Sequence, residues 1–128
     1  MKTLVVEDTL TTQLVFSEQL SAYGECKAVS SGADAIEEFQ NALSNDAGFD
    51  LVCLDVRMPG INGLNVLAVL RKHEDESGKS GHTKIIMTTS VTAEEAVEKA
   101  HRKHCDAYLT KPITADDLEK TLKELSLI

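Results

Sequence analysis

The sequence predicts an α/β domain of the doubly wound kind, in which a parallel sheet is covered by helices on both faces. Short β-rich runs alternate with longer amphipathic segments five times along the chain. One run, Leu51–Leu54, is apolar without a break, as a strand buried on both faces requires. A length of 128 residues suits one domain with a hydrophobic core of its own.

The elements follow in order. Lys2–Val6 is a β-branched run and the first strand, and Thr9 to Ala22 is helix-like. Glu25–Val29 is a weaker strand. Ala33–Leu43 sets Ile36, Phe39 and Leu43 at helical spacing, with Ser31 as N-cap. After the Leu51–Leu54 strand, Gly63–Arg71 is helical and rich in Leu and Val. Lys84–Thr89 is an apolar strand, and Thr92 with Glu95 makes a capping box that opens a fourth helix to about His104. Ala107–Leu109 is a short strand. A fifth helix, capped by Thr114, carries Leu118, Leu122 and Leu125 on one face. No linker, repeat or low-complexity tract interrupts the pattern, so a single domain over 1–128 with no appended output module is expected.

Composition narrows the function. With 42% hydrophobic and 27% charged residues, the chain reads as an ordinary soluble globule. Lys and Arg number 13 against 21 Asp and Glu, and the formal charge of −8 repels a phosphate backbone, so nucleic acid is not an expected partner. Leu4-Val5-Val6 runs straight into Glu7-Asp8, which is no signal-peptide core, and no stretch is long enough to span a membrane. Cys26, Cys53 and Cys105 are odd in number and form no CxxC pair. Cys26 and Cys53 sit in strand-like runs, as reduced structural thiols of a cytoplasmic protein would.

In a parallel α/β sheet, ligands bind beyond the carboxyl ends of the strands. Here strand one ends in Glu7-Asp8, strand three in Asp55, strand four in Thr88-Thr89-Ser90 and strand five in Lys111-Pro112. Three carboxylates gathered at one edge repel one another unless a cation neutralises them. A hard divalent ion suits them, and Mg²⁺ is typical where phosphate oxygens complete the shell. An ionised Asp can attack phosphorus, while a lysine ammonium and a threonine hydroxyl can hold the oxygens of the transferred group.

Each residue taken alone has a plainer reading. Glu7-Asp8 suits a helix N-terminus, Asp55 a turn, Lys111 a solvated surface, Thr89 a strand and Tyr108 a core. His101, His104 and Cys105 lack a fourth ligand and read as helix-end residues rather than a metal site. Together, however, Val5-Val6-Glu7-Asp8, Leu54-Asp55-Val56-Arg57-Met58-Pro59-Gly60 with Gly63, Thr89-Ser90, and Tyr108-Leu109-Thr110-Lys111-Pro112 stand in order on the strand ends. In these residues the chain resembles the receiver domain of bacterial two-component response regulators, over essentially its whole length.

The resemblance implies a flavodoxin-like (βα)5 three-layer sandwich with strand order 2-1-3-4-5. It implies Asp55 as phosphoacceptor from a histidine kinase phosphohistidine or a histidine phosphotransfer protein. Mg²⁺ would be ligated by Asp8, Asp55 and the main-chain carbonyl of Arg57, with Glu7 acting through water. Thr89 and Lys111 would contact the phosphoryl oxygens, Thr89 and Tyr108 would form the switch, and Pro112 would follow Lys111, often through a cis bond. The chain would be a stand-alone signalling switch, monomeric or weakly dimeric, assisting its own phosphorylation and dephosphorylation rather than working as an enzyme. Its downstream target would be another protein, bound on the face of the fourth helix, fifth strand and fifth helix. The alternative within the family is a relay intermediate that passes the group to a histidine phosphotransfer protein.

The sequence departs from the family at His104-Cys105, where Gly-Ala is usual. A glycine there closes the fourth helix in the left-handed region, so a different helix exit beside the output face is expected. Two rival classes fit less well. A phosphatase of the haloacid-dehalogenase type needs a second Asp where this chain has Arg57, and a flavodoxin-like cofactor carrier needs a phosphate loop where it has Glu7-Asp8.

Overall fold

In a computed structural model the described residues are 1–58, 60–79, 81–89 and 105–128. Ser90 and the helix expected from Thr92 to His104 lie outside them, as does Pro59. The strands are β1 (Lys2–Val6), β2 (Glu25–Val29), β3 (Leu51–Asp55), β4 (Lys84–Thr89) and β5 (Ala107–Thr110). The helices are α1 (Leu10–Ser21), α2 (Gly32–Ser44), α3 (Gly63–Glu76) and a C-terminal helix, Ala115–Glu124. All strand pairs are parallel, and the sheet order is β2-β1-β3-β4-β5, as the resemblance implied.

Alternation along the strands divides the core into two layers. Leu4, Val6, Val52, Leu54, Ile85 and Met87 face one way and pack with Phe39 and Leu43 of α2 and Val66, Leu67 and Leu70 of α3. Val5, Leu51, Cys53 and Ile86 face the other way and meet Phe16 and Leu20 of α1 and Leu118 and Leu122 of the C-terminal helix. Each such side chain, once buried, contributes roughly 1.5–3 kcal/mol relative to exposure. This double covering makes β3 apolar at every position up to Asp55. The edge strand β2 is half open to solvent, which explains its weaker pattern.

Caps fix where the helices start. Ser31 Oγ accepts from Asp34 N at 3.1 Å, and Thr114 Oγ1 accepts from Asp117 N at 3.1 Å, as the sequence suggested. Asn62 does the same for α3, accepting from Asn65 N at 3.0 Å.

Helix α3 continues past Arg71, where its apolar pattern stops, to Glu76. The added turn is held by polar groups instead. Glu74, 1% exposed, accepts from Arg71 Nη1 at 3.0 Å, Gly81 N at 3.1 Å and Thr83 N at 2.9 Å. Arg71 also donates to Thr83 O at 2.8 Å and, through Nη2, to Asp106 Oδ2 at 2.7 Å. Asp106 Oδ2 in turn accepts from Ile85 N at 2.8 Å. A buried carboxylate with this many donors ties α3 to the amino ends of β4 and β5.

Candidate functional site

The carboxyl ends of β1, β3, β4 and β5 bring most of the predicted residues together. Glu7 and Asp8 follow β1, Asp55 closes β3, Thr89 closes β4 and Lys111 follows β5. Carboxylate oxygens of Glu7, Asp8 and Asp55 lie within 4.8 Å of one another. Glu7 and Asp55 are buried and Asp8 is exposed, so the cluster is open on one side.

Lys111 enters this cluster from β5. Its Nζ donates to Glu7 Oε2 at 2.7 Å and to Asp55 Oδ2 at 3.1 Å. The other oxygens of the two buried acids take backbone donors: Thr9 N to Glu7 Oε1 and Arg57 N to Asp55 Oδ1, each at 3.1 Å. Burial pushes the Glu7 carboxyl above its usual range and the Asp55 charge adds to the rise, against the opposing bonds from Lys111 and Thr9. Burial alone would lower the Lys111 ammonium, but its bonds to Glu7 and Asp55 and their charges outweigh that and raise it. One ammonium among three carboxylates leaves an excess of negative charge. Converging hard oxygen donors with one open side fit a divalent cation such as Mg²⁺.

Backbone geometry supports Asp55 and Lys111. Val56 N donates to Thr88 O at 2.9 Å and Lys111 N to Thr89 O at 2.6 Å, so hydrogen bonding between strands continues into the site. Gly63, at the start of α3, lies directly against β3: a Cβ there would fall 2.1 Å from Asp55 O and 2.8 Å from Val56 Cα. The sequence marked Gly63 only as part of a motif, and the close approach supplies its reason. The Lys111-Pro112 bond is cis.

The remaining predicted residues sit around this centre. Thr89 is buried, and its carbonyl accepts from Lys111. Arg57 lies two residues past β3 with an exposed side chain. Tyr108, paired with Met87 across the β4–β5 ladder, is 49% exposed. Of the unusual pair before β5, His104 lies outside the described residues and Cys105 is buried, its thiol pushed up to about 11 chiefly by burial. Sequence reasoning missed Gln13, whose Nε2 donates to Glu7 O at 3.0 Å and Val29 O at 3.1 Å.

Beside Lys111, an open groove of about 440 Å³ runs between Val15, Phe16 and Gln19 of α1 and the Pro112–Ile113 turn. Leu10 and Leu14 of α1 are 65% and 60% exposed. No described helix is long and apolar enough to cross a membrane.

Residues 3–123 match the family described as response regulator receiver domain. An uncharacterized response regulatory protein of Shewanella oneidensis is 32% identical over 122 residues, covering 95% of this chain and 47% of its own length. Hybrid signal transduction histidine kinase G of Dictyostelium discoideum is 29% identical over 118 residues, 92% of this chain and 3% of that one. The chain thus spans less than half the length of these curated relatives. Among solved structures, a response regulator receiver domain protein from Clostridium thermocellum superposes with a TM-score of 0.80 at 26% identity, over 97% of this chain and 92% of the other.

Proposed function

Since the chain belongs to the response regulator receiver domain family of two-component systems, we propose that it accepts a phosphoryl group on Asp55 from a phosphohistidine and signals through the change in shape that follows. The observation that carries this reading is the Lys111 ammonium bonded to both Glu7 and Asp55, at the open acidic end of the sheet. In the reaction, an Asp55 carboxylate oxygen forms a bond to phosphorus as the donor's N–P bond breaks. The electron pair leaves with the imidazole nitrogen, which takes up a proton. The transferred group is loosely bonded at its transition state, so catalysis is mostly positioning and charge stabilisation. In this reading Lys111 releases Asp55 Oδ2 and takes an incoming phosphoryl oxygen, and the Thr89 hydroxyl donates to another. Glu7, Asp8, Asp55 and the Arg57 carbonyl would hold Mg²⁺, which when bound neutralises the clustered acids and the phosphoryl oxygens.

The phosphodonor is a histidine kinase or a histidine phosphotransfer protein, and exposed Leu10 and Leu14 with the neighbouring groove offer it an apolar seat beside the cleft. Thr89, drawn toward the phosphoryl group, vacates space for the Tyr108 ring. A target protein then reads β5 and the C-terminal helix, together with the expected fourth helix, which lies outside the described residues. We take residues 1–128 to work as one receiver module, as a monomer or weak dimer. The likeness to a hybrid histidine kinase favours a second reading, in which Asp55 passes its group on to a histidine phosphotransfer protein.

Intact-mass spectrometry with acetyl phosphate tests the central claim. One phosphoryl adduct is expected with Mg²⁺, none with EDTA and none in Asp55→Asn. An adduct that persists in Asp55→Asn would overturn the assignment. Loss of the label to an added histidine phosphotransfer protein would select the relay reading.

A further inference from the structure

The side chain of Gln13 does something that a glutamine in the first turn of a surface helix has no need to do. It spends both protons of its amide on strand-end carbonyls: Glu7 O, one residue past β1, at 3.0 Å, and Val29 O, the last residue of β2, at 3.1 Å. Ser30 Oγ lies 3.3 Å from the same nitrogen. Glu7 N already donates to Val29 O at 3.1 Å. Gln13 therefore fixes the peptide group between Glu7 and Asp8 by its carbonyl, while the preceding peptide is fixed by its N–H.

That peptide plane is one of the two that set the direction of the Asp8 Cα–Cβ bond. Among the described residues, the Asp8 carboxylate makes no hydrogen bond of its own and is exposed. Glu7 is held by Lys111 and Thr9, and Asp55 by Lys111 and Arg57. Asp8 alone depends on its backbone for its aim. We infer that Gln13 is a positioning residue for cation binding, holding the Glu7–Asp8 peptide so that Asp8 converges with the two buried acids. This rests on the reading of Glu7, Asp8 and Asp55 as a Mg²⁺ site. A neutral amide suits the task. A lysine would put a second cation beside the ion, and a glutamate would set an acceptor against two carbonyls and add charge to a crowded acidic cluster.

Groups that orient a ligand without touching the metal commonly matter ten- to a hundredfold in affinity. The test is Mg²⁺ titration of the full chain by calorimetry and by the amide chemical shift of Asp8. Gln13→Met keeps length and helix propensity and removes both donors. It is expected to weaken Mg²⁺ roughly tenfold, at the low end of that range, and to broaden or shift the metal-free Asp8 signal. Gln13→Lys restores donors, while its charge can only weaken cation binding. Affinity better than in Gln13→Met therefore reports the hydrogen bonds. If Gln13→Met does not fold, Gln13→Asn, one methylene too short to reach both carbonyls, takes its place. A folded Gln13→Met protein, or Gln13→Asn in its place, with wild-type Mg²⁺ affinity would overturn the inference and leave the metal site standing. A folded wild-type protein that does not bind Mg²⁺ would remove the metal site itself, and the inference with it.

Discussion

Lys111 reaches Glu7 at 2.7 Å across 104 residues of chain, and this contact is what allows a buried carboxylate to sit at the mouth of the sheet. The bond does not fully offset the burial, since the Glu7 carboxyl remains above its usual range. A group whose pKa is raised on folding adds stability below its unfolded value, near 4.5 here, and loses that contribution as pH rises through the folded value. The metal-free protein therefore carries a cost at neutral pH that it does not carry in acid.

Glu7→Gln should remove that cost. In EDTA at pH 7 the variant is expected to melt a few degrees above the wild type, with the gap closing as pH falls toward 4.5. The amide oxygen can still accept from Lys111, while the amide NH2 faces the Thr9 N–H and that bond is lost, which limits the gain. Melting curves from pH 4.5 to 8 check this, and a stability difference that does not move in favour of the variant as pH rises from 4.5 to 7 would contradict the raised carboxyl.

Mg²⁺ should stabilise the fold, because the proposed site exists in the native cluster and not in the unfolded chain. At a concentration one hundred times Kd the gain is about 2.7 kcal/mol. Asp8→Ala should leave the metal-free melting temperature nearly unchanged, since Asp8 is exposed, and abolish most of the Mg²⁺ response. Differential scanning calorimetry with and without Mg²⁺ measures both effects.

Gly63→Ala should be costly for so small a change. The new methyl would meet backbone atoms of Asp55 and Val56 at 2.1 and 2.8 Å, and backbone yields less readily than a side chain. A loss of roughly 1–3 kcal/mol by urea denaturation is expected, as for overpacking elsewhere, together with weaker Mg²⁺ binding as Asp55 is displaced.

The proposed output face can be mapped by NMR with and without beryllofluoride, a phosphoryl mimic. Shifts are expected at Thr89, Tyr108 and residues 94–103, because a phosphoryl group adds roughly two negative charges and three acceptor oxygens beside Thr89 and Lys111. The mimic can only bias states that the protein already samples. Changes confined to the surroundings of Asp55 would remove that face from consideration.

How much of this was legible in the sequence depends on which signal each feature leaves. Strands β1, β3 and β4 declared themselves because a doubly covered sheet buries both faces of its middle strands in apolar runs, and Asp55 stood out where the run of β3 ends. Ser31 and Thr114 were readable as caps from their spacing. Strand order was not readable from periodicity and came from the resemblance alone. The last turn of α3 was missed because Glu74, a charged residue, is buried there by hydrogen bonds rather than by apolar packing. Gln13 left no signal, since one donating to two carbonyls and one facing water look alike in a polar first turn.

The Arg71–Glu74–Asp106 network stands at the opposite end of the strands from the acidic cleft. One set of charges secures the approach to β4 and β5, and a separate set is left over for chemistry. For an evolving lineage this separation offers latitude. On the proposed reading, substitutions around Asp55 that lengthen or shorten the life of a phosphoryl group can accumulate while the lock at the far end keeps the chain folded. The timing of the signal can then be retuned by mutation without first rebuilding the protein that carries it.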